Sequence, residues 1–155
     1  EIMNTVFDSM TDIIVEHGGT IDKFMGDAIM VLFGAPQEMD AHNQAQRAVS
    51  CARAMGHGLE SLNDKWQAKG LPKLSARTGI HQGKAAVGNF GSDKRSDYTC
   101  IGTAVNIASR IEGVCEAGEV FVSSVVGKQV PDEVNDAGEY ELKGIDGKQS
   151  LYRLV

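Results

Sequence analysis

The sequence has little of what would tie a protein to a membrane, to nucleic acid or to an oxidising compartment. No apolar run approaches the ~20 residues that a helix needs to cross a bilayer, and no signal peptide is visible. The net charge of −6 argues against binding to nucleic acid or an anionic lipid surface, but it leaves room for a local basic pocket. The three cysteines are odd in number and lack metal-ligand spacing, so we expect reduced thiols and a cytoplasmic location.

Histidine clusters, internal repeats and low-complexity segments are absent as well. The four histidines have no metal-ligand spacing, and we expect them to be surface or structural residues. With 155 residues, 42% of them hydrophobic, the chain is long enough to bury a proper core, and we predict one domain over residues 1–155. It begins at Glu1 without a methionine and opens directly in a helix pattern, so we expect an excised piece of something longer.

Hydrophobic spacing predicts an α+β domain, with a mostly antiparallel sheet and helices on one face. The predicted helices cover residues 1–17, 41–69 and 104–115, with a short one ending at 129. The predicted strands cover residues 20–25, 28–33, 74–81, 85–90, 98–101, 120–122, 139–142 and 151–154. We expect Asp40 to cap the long helix, residues 82–84 to form a turn between two strands, and the polar residues 91–97 to be a flexible excursion.

The segment from Gly18 to Gly34 carries the first motif. Gly26-Asp27 between two apolar runs predicts a hairpin, with Lys23 and Asp27 held beside its tip. An aspartate placed there can bind a hard cation such as Mg²⁺ through oxygen. From this segment alone, Asp27 as a turn residue and Lys23 as a solvated charge are equally good interpretations.

The second motif lies between Asp97 and Arg110. Asn106 and Arg110 are four residues apart on a predicted helix, so they share a face. Asparagine offers both donors and acceptors, and arginine offers a fork of donors that suits phosphate. Thr99 lies near the end of a strand, where its hydroxyl can meet a base edge. Read alone, these residues can also be ordinary surface polar groups.

Together the two segments resemble the catalytic domain of class III nucleotidyl cyclases, the adenylyl and guanylyl cyclases. The first resembles the family's hairpin motif Gly-Gly-x-x-x-Lys-x-x-Gly-Asp. The second resembles the family's Val-Asn-x-Ala-x-Arg helix, which follows a base-selecting position. The match runs in order over nearly the whole chain and implies the family's ferredoxin-like, mostly antiparallel fold.

The resemblance also implies a role for each matching position. Asp27 corresponds to one of two metal-binding aspartates, which hold two ions, Mg²⁺ or Mn²⁺. Lys23 and Thr99 correspond to the base-reading pair, and this combination implies ATP as substrate. Asn106 corresponds to the residue that orients the ribose, and Arg110 to the one that stabilises charge on the phosphates. The implied reaction is adenylyl cyclase chemistry, which converts ATP to cyclic AMP and pyrophosphate.

Other implications concern the rest of the chain and its partners. Lys143 is implied as a further triphosphate contact, although a solvated turn lysine is nearly as good an interpretation. The family's sites form in a head-to-tail homodimer, in which Lys23 and Asp27 serve different sites, and regulatory sensor domains usually accompany the catalytic domain. The family's first strand and first metal aspartate precede the opening helix, and Asp8 and Asp12 do not match that motif. We therefore expect a domain truncated at its N-terminus, with little turnover by itself.

Two alternatives to an adenylyl cyclase stay open. The first is a non-catalytic module that kept the fold for nucleotide binding or dimerisation, which the absent upstream aspartate favours and the retained motif residues oppose. The second is a cyclase for another nucleotide. The Lys23 and Thr99 pair disfavours a guanylyl cyclase. The sequence lacks the Gly-Gly-Asp-Glu-Phe type signature of a diguanylate cyclase, which disfavours that enzyme as well.

Overall fold

The computed structural model describes residues 1–92 and 95–155, and it describes their side chains except at Phe90, Ser92 and positions 95–98. The described part contains four α-helices: α1 (Ile2–Glu16), α2 (Ala41–Ala68), α3 (Thr103–Val114) and α4 (Ser124–Gly127). It also contains β1 (Thr20–Met25), β2 (Ala28–Leu32), β3 (Thr78–Ile80), β4 (Ala86–Ser92), β5 (Arg95–Ile101), β6 (Val120–Ser123), β7 (Val134–Glu141) and β8 (Lys148–Leu154). A 3₁₀ turn at Pro131–Glu133 precedes β7.

The strands form one four-stranded sheet and two hairpins. The sheet has the order β3-β6-β8-β7, in which β3 and β6 run parallel and the other neighbours run antiparallel. The hairpins are β1-β2 and β4-β5, both antiparallel. The predicted α+β class and mostly antiparallel pairing are therefore confirmed, as are the two hairpin strands at 20–33 and the antiparallel pair that ends the chain.

The helices cover both faces of β6 rather than one. Ala45 and Val49 of α2 belong to a buried cluster with Val122. Ile111 of α3 belongs to a second cluster with Phe121. Because successive side chains of a strand point to opposite faces, α2 and α3 lie on opposite sides of this strand, and the expectation of a single helical face does not hold.

Close packing fixes the position of α3 against the sheet. A Cβ atom at Gly79 of β3 would lie 2.6 Å from the backbone oxygen of Ala108, so only glycine lets the helix approach this near.

Helix α2 is capped by Asp40, as predicted. The Asp40 carboxylate accepts a hydrogen bond of 2.8 Å from the Asn43 backbone N–H. A third buried cluster joins α1 to α2 through Met10, Ile14 and Cys51.

The strand predicted over residues 74–81 is shorter than expected. Both backbone groups of Leu74 bond to the side chain of Asn63 on α2, at 2.8 and 2.9 Å, so this residue cannot join a sheet. The remaining strand, β3, pairs with β6 and not with β4. Residues 82–84 therefore connect two strands as predicted, but these strands belong to the four-stranded sheet and to a separate hairpin.

The polar stretch 91–97 also differs from its prediction. Gly91 and Ser92 belong to β4, positions 95–97 belong to β5, and Ser92 pairs with Arg95. Asp93 and Lys94 lie outside the described residues. Apolar alternation predicted the outer parts of both strands but not their extension through this polar stretch, because pairing satisfies backbone groups, which every residue carries whatever its side chain.

The titratable thiols and the partly buried His81 are structural. All three cysteines are free and buried, and burial raises the pKa of the Cys51 thiol to about 11. The Nδ1 atom of His81 lies 2.9 Å from the Ser123 hydroxyl on the neighbouring strand, and burial lowers the pKa of this histidine. Across the described ranges, every helix is too short or too polar to cross a bilayer.

Candidate active site

The β1-β2 hairpin carries two of the candidate residues. Asp27 lies in the turn after Gly26, whose φ of 61° is the left-handed conformation that favours glycine. Lys23 lies on β1 opposite Met30. Both charged side chains are exposed. The hairpin thus presents a carboxylate at its tip and an ammonium group on its strand, both available to a ligand.

A carboxylate that the sequence did not single out joins this hairpin to the next. Oδ2 of Asp22 accepts a hydrogen bond of 3.1 Å from the Thr99 hydroxyl and another of 3.2 Å from the Cys100 backbone N–H. Thr99 on β5 is thereby held against β1, one residue from Lys23. The only available signal was a third charged residue inside the first motif, and nothing in the sequence linked it to a residue 77 positions later.

The pKa of the Cys100 thiol is shifted by the charged residues at this junction. Burial raises its pKa most, the negative charge of Asp22 raises it further, and the positive charge of Lys23 lowers it. Both charges therefore act on the same point beside Thr99. Lys23 and Thr99 thus lie on two strands that the hydrogen bonds of Asp22 join.

Helix α3 presents the other two motif residues. It begins directly after β5, at Thr103, so Thr99 and the helix are consecutive parts of one short segment. Asn106 and Arg110 are exposed and one turn apart, while Ile111 on the inner side is fully buried. Among the side chains that the structure describes, no carboxylate lies within ion-pair distance of Arg110.

Lys143 lies in a different part of the surface. It is exposed on the loop after β7, where it lines a shallow cavity of about 420 Å³ with Glu141 and Asp146. Its neighbour Leu142 packs in the buried cluster that contains Ile111 of α3. Within the described part of the chain, Lys143 makes no hydrogen bond or ion pair with the other candidate residues, so the structure does not bring it into their group.

A complete metal centre is not formed by the described residues alone. They contain no group of three or more histidine, cysteine or acidic side chains close enough to hold an ion. A protein site for Mg²⁺ commonly uses one or two carboxylates together with substrate phosphates. Asp27 fits one such ligand position, and further oxygen ligands have to come from elsewhere.

Apolar side chains surround the charged ones. Phe24, Met25 and Ile101 are each 48% exposed, and Val87 is 37% exposed. They lie on β1, β4 and β5, the strands that also carry Lys23 and Thr99. Apolar groups left exposed on adjoining elements are typical of a surface that meets another protein.

Comparison with known proteins identifies the family of this chain. The model of the adenylate and guanylate cyclase catalytic domain family matches residues 1–155. Adenylate cyclase 1 of Rhizobium meliloti is 35% identical over 99% of this chain and 24% of its own length. The adenylate cyclase of Anabaena cylindrica is 40% identical over 72% of this chain and 22% of its own length. The chain thus spans about a quarter of the length of these curated relatives.

Solved structures give the same family. The adenylyl cyclase CyaB from P. aeruginosa superposes with a TM-score of 0.94 at 40% identity, covering 99% of this chain and 80% of that one. The guanylyl cyclase Cya2 superposes with a TM-score of 0.89 at 38% identity, covering 99% and 78%. On these grounds the chain belongs to the family of adenylate and guanylate cyclase catalytic domains.

Proposed function

We propose that this domain is the catalytic domain of an adenylyl cyclase, which converts ATP to cyclic AMP and pyrophosphate. The observation that supports the proposal is the junction between the hairpins, where Asp22, the neighbour of Lys23 in the chain, accepts a hydrogen bond from Thr99. This pair of residues is the one that the family resemblance associates with adenine. Overall identity cannot make this distinction, because an adenylyl and a guanylyl cyclase structure match almost equally well, at 40% and 38%.

The chemistry of the pair suits the edge of adenine. A lysine ammonium group only donates hydrogen bonds, whereas a threonine hydroxyl also accepts them. Adenine offers a ring nitrogen that accepts and an exocyclic amino group that donates, while guanine offers a carbonyl oxygen at the same position. Lys23 as donor and Thr99 as acceptor therefore complement adenine and oppose guanine.

Asn106 and Arg110 supply the remaining contacts from this chain. In the proposed reaction, the ribose 3′ oxygen attacks the α-phosphorus in line, and pyrophosphate leaves. Asn106 orients the ribose by hydrogen bonding, and the guanidinium of Arg110 stabilises negative charge that grows on the phosphates in the transition state. Lys143 is proposed as an additional contact to the triphosphate.

Divalent metal belongs to the proposal as well. Mg²⁺ or Mn²⁺, when bound, lowers the pKa of an attacking hydroxyl group and neutralises charge on a leaving group. We assign Asp27 as one ligand of a site for two such ions. A second carboxylate from outside residues 1–155 would complete that site, so the 155-residue chain alone is expected to turn over little.

A head-to-tail homodimer is the assembly that fits these residues. Asp27 of one subunit would serve the nucleotide that Lys23, Thr99, Asn106 and Arg110 of the other subunit hold, which gives two equivalent sites. The exposed apolar side chains beside Lys23 and Thr99 support such a contact. We further propose a cytoplasmic domain under the control of attached sensor domains, since ATP is the substrate.

Two other functions compete with this one. A guanylyl cyclase is favoured by the likeness to Cya2. A non-catalytic nucleotide-binding module is favoured by the absence, among the described residues, of any group of three or more histidine, cysteine or acidic side chains that could hold an ion. The first predicts turnover of GTP rather than ATP, and the second predicts nucleotide binding without release of pyrophosphate.

One assay separates all three. Pyrophosphate and cyclic nucleotide would be measured with ATP or GTP and with Mg²⁺ or Mn²⁺, using the 155-residue chain and the full polypeptide that its gene encodes. We expect cyclic AMP from the full polypeptide and much less from the shorter chain. Cyclic GMP as the main product, or no product from either protein, would overturn the proposal in favour of the corresponding alternative.

A further inference from the structure

A β-bulge places Asp22 between the two hairpins. In the β1-β2 pairing, Ile21 lies opposite Val31 and Lys23 lies opposite Met30, so Asp22 is an extra residue without a partner on β2. A bulge of this kind re-aims the side chain of the extra residue. Here the carboxylate reaches β5, where it accepts from Thr99 and from the Cys100 backbone.

The hydrogen bonds of Asp22 fix which way the Thr99 hydroxyl points. A carboxylate only accepts hydrogen bonds, so the hydroxyl must give its single proton to Oδ2, across 3.1 Å. The Cys100 backbone N–H anchors the same oxygen at 3.2 Å. The other oxygen, Oδ1, is buried with no partner in the described part of the chain, so no competing donor there turns the carboxylate away from β5.

We propose that Asp22 is a positioning residue that sets the base preference of this domain by accepting the hydrogen bond that the Thr99 hydroxyl donates. While the Thr99 hydroxyl donates its hydrogen bond to Asp22, the Thr99 oxygen can only accept a hydrogen bond from a nucleotide base. It then accepts from the amino group of adenine and repels the carbonyl oxygen of guanine, whereas a freely rotating hydroxyl can bond to either. The inference rests on the proposed function, since it assumes that Thr99 faces the base of a nucleoside triphosphate.

The test compares nucleotides rather than overall activity. The full polypeptide and its Asp22→Ala variant would be assayed for kcat and KM with ATP and with GTP, and calorimetry would give the affinity for each nucleotide. We expect the preference for ATP over GTP to fall by about tenfold in the variant, which is the worth of one hydrogen bond. The fall should lie mainly in a lower KM for GTP, because the freed hydroxyl can donate to the guanine carbonyl.

Further variants separate positioning from support of the fold. Asp22→Asn keeps an oxygen that can accept from Thr99 and Cys100, so it should retain a preference within about threefold of the original, below the effect of one lost hydrogen bond. In a Thr99→Val background, Asp22→Ala should change the preference no further, because no hydroxyl remains to be oriented. Asp64→Ala removes an exposed carboxylate from α2 and serves as the charge-matched control.

Each outcome has a distinct meaning. An equal loss for both nucleotides in Asp22→Ala, with the preference unchanged, would show that Asp22 only supports the fold and would overturn the inference. If that variant does not fold, Asp22→Ser takes its place. A serine hydroxyl can donate a hydrogen bond to the Thr99 oxygen, so the Thr99 hydroxyl is no longer obliged to donate to residue 22. No turnover, together with a preference in binding that Asp22→Ala abolishes, would sink the proposed function and leave the inference standing. No preference for ATP in the unaltered protein would overturn the inference.

Discussion

In the four-stranded sheet, Phe121 and Leu151 are at most 1% exposed, whereas Phe24, Met25 and Ile101 of the two hairpins are each 48% exposed. The sheet has a helix on either side of β6, and it buries its apolar side chains within the chain. An isolated two-stranded hairpin is marginally stable in water, so the hairpins depend on what they pack against. The sheet therefore supports the fold, and the hairpins present Lys23, Asp27 and Thr99 together with a surface suited to a partner.

The largest effect on stability should come from a change in the core of the four-stranded sheet. Phe121→Ala removes a fully buried ring that packs against Tyr140 with the centroids 5.8 Å apart. We expect the free energy of unfolding to fall by about 3–5 kcal/mol, measured by urea denaturation, because a cavity replaces the ring. Val125→Ala, at a residue 44% exposed, is the control and should cost about 0.5 kcal/mol or less. Similar losses from the two changes would contradict the division between sheet and surface.

Arg110→Ala should reverse this pattern, with a large loss of activity and almost no loss of stability. The side chain is exposed on α3, so its removal leaves no cavity. If it stabilises charge in the transition state, kcat with ATP should fall by about 10²–10³-fold, while the melting temperature stays within a degree or two. Arg47→Ala, at an exposed arginine of α2, should leave both unchanged. A full kcat in Arg110→Ala would remove this residue from the proposed mechanism.

The sharing of sites between subunits can be tested by mixing variants. Lys23→Ala and Asp27→Asn should each abolish most activity, since every site in either homodimer lacks one residue. Random mixing makes half of the dimers mixed, and each mixed dimer has one intact site of two, so about a quarter of the activity should return. Mixing two preparations of Lys23→Ala is the control. No recovery would place both residues in the same site and contradict the head-to-tail arrangement.

The contrast between local spacing and long-range contacts explains which features the sequence could predict. Lys23 and Asp27 were found because Gly26-Asp27 is a strong local turn signal, and Asn106 and Arg110 because helix periodicity places them on one face. Such short spacings are visible in a sequence, whereas the roles of these residues are implied by the family resemblance and stay predictions. Asp22 was missed because its role arises from a bulge and from a contact across 77 positions. The partner of β3 was missed for the same reason, since hydrophobic alternation does not say which strands pair.

A smaller effect is expected at the exposed apolar surface. Phe24→Ser keeps the charged residues but removes an aromatic ring that packs against Phe7 at an angle of 53°, with the centroids 5.0 Å apart. If the hairpin meets a second subunit, dimer dissociation measured by sedimentation should become about tenfold easier or more, as is typical of a buried aromatic at an interface. Leu71→Ser, at a residue 39% exposed beyond the end of α2, is the control. Equal dimer affinity in both variants would move the interface elsewhere.

The smallest effect should appear far from the hairpins, where Arg53 of α2 bonds at 2.7 Å to Glu133 beside β7. The hydrogen bond from Arg53 holds the pKa of Glu133 below its ordinary value of 4.5, against the opposing effect of burial, and Gln46 assists it. A lowered pKa in the folded state means that the carboxylate stabilises the fold above about pH 4.5 and that this stability disappears as the pH falls through the folded-state value. Both side chains are partly exposed, so Arg53→Ala should cost only about 0.5–1 kcal/mol at pH 7, and the difference from the unaltered protein should be smaller at pH 3 than at pH 7. Urea denaturation at the two pH values measures this, with Arg77→Ala at the more exposed pair with Glu112 as the control. A difference of equal size at both pH values would mean that Arg53 acts through packing of its aliphatic stem rather than through its charge.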